Sequence, residues 1–145
     1  MTNGARVQAE GVHGGVLRFI VPNGTALSKG WLMVANAAVS RGAVPHSTNP
    51  TVRPLGITMQ SKDVNDGIVT VGLQRSGRAL MYADGVITTG DVVVAGAVAN
   101  RVRRMNTTAG GLSYQEINAI VGRALENAVD GGQLMIDLLL SGVGY

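Results

Sequence analysis

ALSKGWLMVANAAVSR, residues 26–41, returns as VITTGDVVVAGAVANR, residues 86–101, without a gap. Gly30 falls on Gly90, Val34 on Val94, Ala35 on Ala95, Ala37 on Ala97 and Arg41 on Arg101. Outward from this stretch, LGITMQ from Leu55 meets VGRALE from Val121. DGIVTVGLQRSG, residues 66–77, then meets GGQLMIDLLLSG, residues 131–142. The spacing between copies moves from 60 to 65 or 66, so the second copy carries the longer internal connector. A repeat of this kind constrains the whole fold before any single motif is weighed. The matched positions are glycine turns and Val/Leu alternations, not acids, bases or nucleophiles, so the duplicated object is a scaffold.

Strand signals dominate each copy. VLRFIV, Val16 to Val21, is a short β-like run closed by Pro-Asn-Gly at 22–24, and its counterpart ALMYA, 79–83, is closed by Asp-Gly at 84–85. Asn-Gly and Asp-Gly mark turns because these residues tolerate positive φ. A Val/Ala-rich strand follows in each copy, WLMVANA or DVVVAGA. The next segment reads as a connector. In the first copy it is RGAVPHSTNPTVRP, where three prolines predict irregular, stiff chain. In the second it is the longer, basic RVRRMNTTAGGLSYQ. Two closing strands are predicted from alternation, Val69-Val71-Leu73 and Leu134-Ile136-Leu138, with Val71 equivalent to Ile136 and both buried. SYQEINAIVGRALENAV, 113–129, has a helical period and a capping box at Ser113 and Glu116. Its counterpart PLGITMQSK reads as a strand, and the repeat favours a strand over 119–125 with a helical turn before it. The expected fold is therefore mainly β. Residues 1–15 form a polar N-terminal arm, and 16–145 form one β domain built from related halves, 16–77 and 78–142. These halves make either a compact barrel- or sandwich-like unit or two small lobes.

Composition narrows the function. The chain has 145 residues, 46% hydrophobic and 14% charged, with 21 glycines. That is one compact domain or two lobes sharing a core, with low charge and many tight turns. Ten arginines and two lysines produce a net charge of +3, and Arg suits planar contacts at interfaces. Aromatic stacking residues are scarce at 3%, which argues against direct nucleic-acid binding. With no cysteine there is no disulfide framework, thiolate zinc site or Cys nucleophile. MTNGARVQAEGVHGG lacks the apolar stretch of a signal peptide, and no run approaches a membrane span.

No catalytic, cofactor-binding or metal-ligating residue is predicted. The chain contains no phosphate loop, no G-x-G-x-x-G and no nucleophile elbow. His13, in VHGGV, lies in the Gly-containing arm, and His46 reads as a surface loop residue. Two histidines without Cys or H-x-x-x-H spacing make a poor metal site. Asp63 and Asp66, in SKDVNDG, lack the closing Glu of a calcium loop and read as a solvated turn. The only basic cluster is Arg101, Arg103 and Arg104, read either as a solvated connector or as a contact for an acidic protein surface. Arg6, Glu10 and His13 on the arm join these three as the candidate partner-binding residues.

The order ALSKGWLMVA, PLGIT, DGIVTVGLQRSG, VITTGDVVVAG, IVGRALENAVDGGQLMIDLLLSG resembles the head-decoration, or capsid cement, proteins of tailed bacteriophages. The likeness covers roughly residues 16–142 and leaves out the connector at 101–115. Each motif alone is only Gly plus Val, and the specificity lies in their order and duplication. The resemblance implies a non-enzymatic virion protein. Such a protein assembles in the host cytoplasm, binds the capsid exterior as a trimer, contacts the major capsid protein and clamps neighbouring subunits. An arm that orders on the shell is implied in the same way. The alternatives are another virion β module, such as a tail or baseplate component, or a β-barrel enzyme or small-ligand binder. The last would need a polar constellation in a cleft.

Overall fold

The computed structural model describes residues 16–49, 53–106 and 117–140. These form ten strands: β1 (Val16–Ile20), β2 (Leu32–Asn36), β3 (Gly42–Pro45), β4 (Pro54–Thr58), β5 (Thr70–Gln74), β6 (Ser76–Ala83), β7 (Val92–Ala95), β8 (Arg101–Arg104), β9 (Ile120–Ala124) and β10 (Gln133–Leu139). They close into two barrels, ordered β1-β3-β2-β4-β5 and, from β6, β6-β8-β7-β9-β10. In each barrel the first and third strands pair in parallel and every other pairing is antiparallel. Closure removes the free sheet edges that small β domains must otherwise protect. The mainly β fold in two related lobes is thus what the repeat implied.

The correspondence reaches individual hydrogen bonds. Leu27 N–H donates to Lys62 O as Ile87 N–H does to Ala128 O, and Gly30 to Thr58 as Gly90 to Ala124. The register shifts at Met33/Val34 in one barrel and at Val93/Val94 in the other, so even the β-bulge is repeated.

Two details of the sequence alignment change. Gly42 N–H donates to Val39 O and Arg101 N–H to Val98 O, which equates Arg101 with Gly42 and Arg41 with Asn100. Arg41 and Asn100 indeed share a left-handed backbone, φ 58° and 64°. The closing strands also slip by two residues. Val21 N–H donates to Val69 O where Ala83 N–H donates to Gly132 O, and Met59 N–H to Gly72 O where Leu125 N–H donates to Met135 O. Val71 therefore corresponds to Leu134 and Leu73 to Ile136, rather than Val71 to Ile136. A slip of two keeps every side chain on its own face, so Val71 and Ile136 are both fully buried.

Three expectations need correction. The two connectors each begin as a strand, β3 and β8. In the first, Pro45 ends β3 and Pro54 opens β4, places where a missing N–H costs no ladder bond. In the second, β8 follows its pairing with β7, with Val102 fully buried opposite Ala95. Val69 lies outside β5 and is 48% exposed, because the chain there only lends its carbonyl to Val21 at the barrel mouth. The strand expected over 119–125 is β9, and the helical turn expected before it lies at 117–118; Ser113 and Glu116 lie outside the described residues.

Inward side chains fill each barrel: Val21, Leu27, Met33, Val71 and Leu73 in the first, Met81, Val93, Val121, Leu134 and Ile136 in the second. Two residues of the first barrel belong to the second core. Leu32 and Ile57 pair across β2 and β4 on the outside of their own barrel, yet are 0% and 3% exposed, packed into the second cluster. Fully burying such side chains stabilises by about 1.5–3 kcal/mol each. The corresponding positions of the second barrel are Val92 and the exposed Arg123. The copies have therefore diverged where one had to seat against the other. Arg75, between β5 and β6, ties the junction: its Nε donates to Leu55 O at 2.8 Å and its Nη2 to Leu140 O at 3.2 Å.

Candidate functional site

Among the predicted partner-binding residues, Arg6, Glu10 and His13 lie outside the described residues. Arg101, Arg103 and Arg104 lie on β8, and the structure does not gather them into one free patch. Arg101 Nη1 stands 3.7 Å from Asp130 Oδ1. Arg103 Nη1 donates to Arg104 O at 3.4 Å. Of the three, only Arg104 is exposed.

His46 is not a surface loop residue. It is 4% exposed and joins the two barrels. Its Nδ1 accepts from Asn100 N–H at 2.9 Å. A backbone N–H can only donate, so the ring proton sits on Nε2, which donates to Gly96 O at 2.9 Å. Asn100 Oδ1 accepts in turn from Leu32 N–H at 2.6 Å. Both ring nitrogens are thus committed to backbone, as a joint and not as a base. The sequence hid this because the partners, Gly96 and Asn100, are 50 and 54 residues away.

Burial holds the His46 pKa below the ordinary 6.5, against the raising effect of the Gly96 and Asn49 backbone and of Asp84. Below pH 6.5 the unfolded chain takes up a proton that the folded chain refuses, so stability falls with pH until the folded pKa is reached. The slope is at most about 1.4 kcal/mol per pH unit. Denaturant midpoints measured from pH 7.5 to 5 should fall, and His46→Gln should flatten the dependence. A wild-type midpoint that stays level over this range contradicts the assignment.

The carboxylates stabilise turns. Asp66 accepts from Asp63 N–H and Ile68 N–H, both at 2.9 Å. The Ile68 bond is the main reason its carboxyl lies below the ordinary range. Asp84, Asp91, Glu126 and Asp130 accept from the backbone of Ala97, Thr88, Met135 and Gly85. Lys62, buried, donates to the carbonyls of Asn23, Thr25 and Asp63 and faces Asp66 at 3.5 Å. That is a satisfied buried cation bracing the loop. Among the described residues, no group of three or more His, Asp or Glu is placed to hold a metal ion.

One cleft of the described surface lies between the two barrels, and the sequence reading missed it. A groove of about 370 Å³ runs between the barrels, lined by Lys29, Thr58, Met59, Arg78, Leu80 and Met135 among others. The signal was present in β6. RALMYA is apolar on both faces, with Ala79, Met81 and Ala83 turned in and Leu80 and Tyr82 49% exposed. A strand buried on one side alone has no need of Leu and Tyr on the other.

No protein family matches the chain, and no curated protein does. Among solved structures, the crystal structure of the head fiber gp8.5 N base of bacteriophage phi29 has a similar fold. The TM-score is 0.53 at 12% identity, over 90% of this chain and 98% of that one. At this identity the likeness is one of fold.

Proposed function

We propose that this chain is a non-catalytic structural protein of a bacteriophage virion that binds the capsid exterior as a trimer. The observation that carries the reading is the paired-barrel fold, shared along nearly the full length of both chains with the base of a phage head fiber. The sequence resemblance to capsid decoration proteins points the same way. The chemistry of the described residues fits: carboxylates are spent on turns, and His46 on the joint between barrels. Three copies around one axis would each touch a different capsid subunit. A protein that binds only the assembled shell stabilises it by mass action, and many weak copies act together. Assembly in the host cytoplasm and residence on the virion exterior follow from this reading.

The likeness to a fiber base favours one second reading, that the chain is the foot of a longer projection. Negative-stain images of capsids carrying the protein separate the two: compact knobs fit decoration, and extended fibers fit the second. For the first reading, residues 1–15 are proposed to add a contact to the shell. Deleting residues 2–14 should leave thermal stability unchanged and lower capsid occupancy in co-sedimentation. Equal occupancy by the truncated and full chains contradicts the arm's role.

A further inference from the structure

We propose that the groove between the barrels, with the apolar row beside it, is the face that seats on an acidic patch of the capsid subunit; this rests on the capsid reading above. Leu80 of β6 stands opposite Met135 of β10, and Leu125 N–H donates to Met135 O, so the three side chains form one row on the outer face of the second barrel. Leu80 and Leu125 are 49% and 41% exposed, and Met59 of the first barrel, 44% exposed, adds to the same face across the groove. An exposed apolar row that spans two lobes marks an interaction surface.

Charge selects the partner. Lys29 and Arg78 line this groove, and neither side chain makes a bond or ion pair with the described residues. Two unpaired cations beside apolar anchors fit a surface carrying carboxylates. A second copy of this chain fits poorly. Of its seven described carboxylates, Asp66, Asp84, Asp91, Glu126 and Asp130 already cap turns. That leaves Asp63 and Asp137, and Asp137 stands opposite Arg78 and Arg123 in its own sheet. Five of the seven described acids are committed, and Asp137 is already beside Arg78 in its own chain, so we assign the complementary charge to another protein.

The test is co-sedimentation with capsids across a salt series, using the full chain, Lys29→Glu/Arg78→Glu and Leu80→Asn, with melting and sedimentation velocity on each. All three positions are exposed, so wild-type melting is expected. Wild-type binding should weaken as salt rises, and the charge-reversed protein should bind roughly tenfold or more weakly. Leu80→Asn should bind more weakly without a change in salt dependence. Binding by both variants at wild-type strength overturns the groove while leaving the capsid reading intact. Altered self-association of the variants overturns it too, by making the face a contact between copies. A wild-type chain that never binds capsids removes the capsid reading, and this proposal with it.

Discussion

Ile136→Asp is expected to unfold the second barrel at room temperature, and Val71→Asp the first. Both side chains are fully buried, and each lies on the last strand of its barrel, in that barrel's core. The clusters around both are apolar, and the buried Lys62 of the first barrel is already held by three carbonyls and Asp66. An unpaired charge in such a site costs several kcal/mol or is neutralised at comparable cost, against a total domain stability of about 5–15 kcal/mol. Leu139→Asp is the control. It lies on the same strand as Ile136, is 37% exposed, and should cost little. Urea titration followed by circular dichroism reads all three. An Ile136→Asp protein with a midpoint close to that of Leu139→Asp contradicts the inward assignment of β10.

The second large effect is expected at Gly122, and it tests the repeat. A Cβ there would overlap the backbone carbonyl of Asp137 on the neighbouring strand. Gly56, the corresponding residue of the first barrel, is nearly as tight, with an added Cβ 2.7 Å from Leu73 Cβ and 2.8 Å from Gln74 O. Both glycines face the repeated bulge, Gly56 opposite Met33 and Gly122 opposite Val93, and the added Cβ would meet the strand on the other side, β5 or β10. Backbone cannot rotate away as a side chain can. Gly122→Ala should therefore cost at least the roughly 1–3 kcal/mol of an overpacked core, and split the β9–β10 ladder locally. Gly90→Ala separates sterics from backbone strain: at φ +94° with open space around it, the cost should be about 1–2 kcal/mol. If denaturant midpoints show Gly122→Ala to be no worse than Gly90→Ala, the close approach is wrong.

The sequence reading found the repeat and the inward faces because both are local patterns. Val71, Leu73, Leu134 and Ile136 alternate with outward residues whatever the register, so the two-residue slip between β5 and β10 did not change which side chains are buried. The slip itself was illegible: it arises in the loop before each closing strand, where the stretch from Lys62 to Val69 is answered by the shorter one from Ala128 to Gly132. The strands β3 and β8 were hidden by composition, since proline and arginine there outweighed one buried Ala43 and one buried Val102. His46 and the position of the groove were illegible for a different reason, although the two apolar faces of β6 signalled an exposed apolar surface. Both arise where one barrel meets the other, and no period within one copy encodes a contact between copies. Leu32 and Ile57, apolar on the outer face of β2 and β4 where the second copy has Val92 and Arg123, were the trace left in the sequence.

The central claim is placement on a phage capsid, and cryo-electron microscopy of the virion that carries this chain tests it most directly. Paired-barrel density is expected on the outer capsid surface at threefold or quasi-threefold positions, with three copies per site and the Lys29–Arg78 groove turned toward the shell. Density confined to the tail or the capsid interior, or virions that contain no copy of the chain, would contradict it.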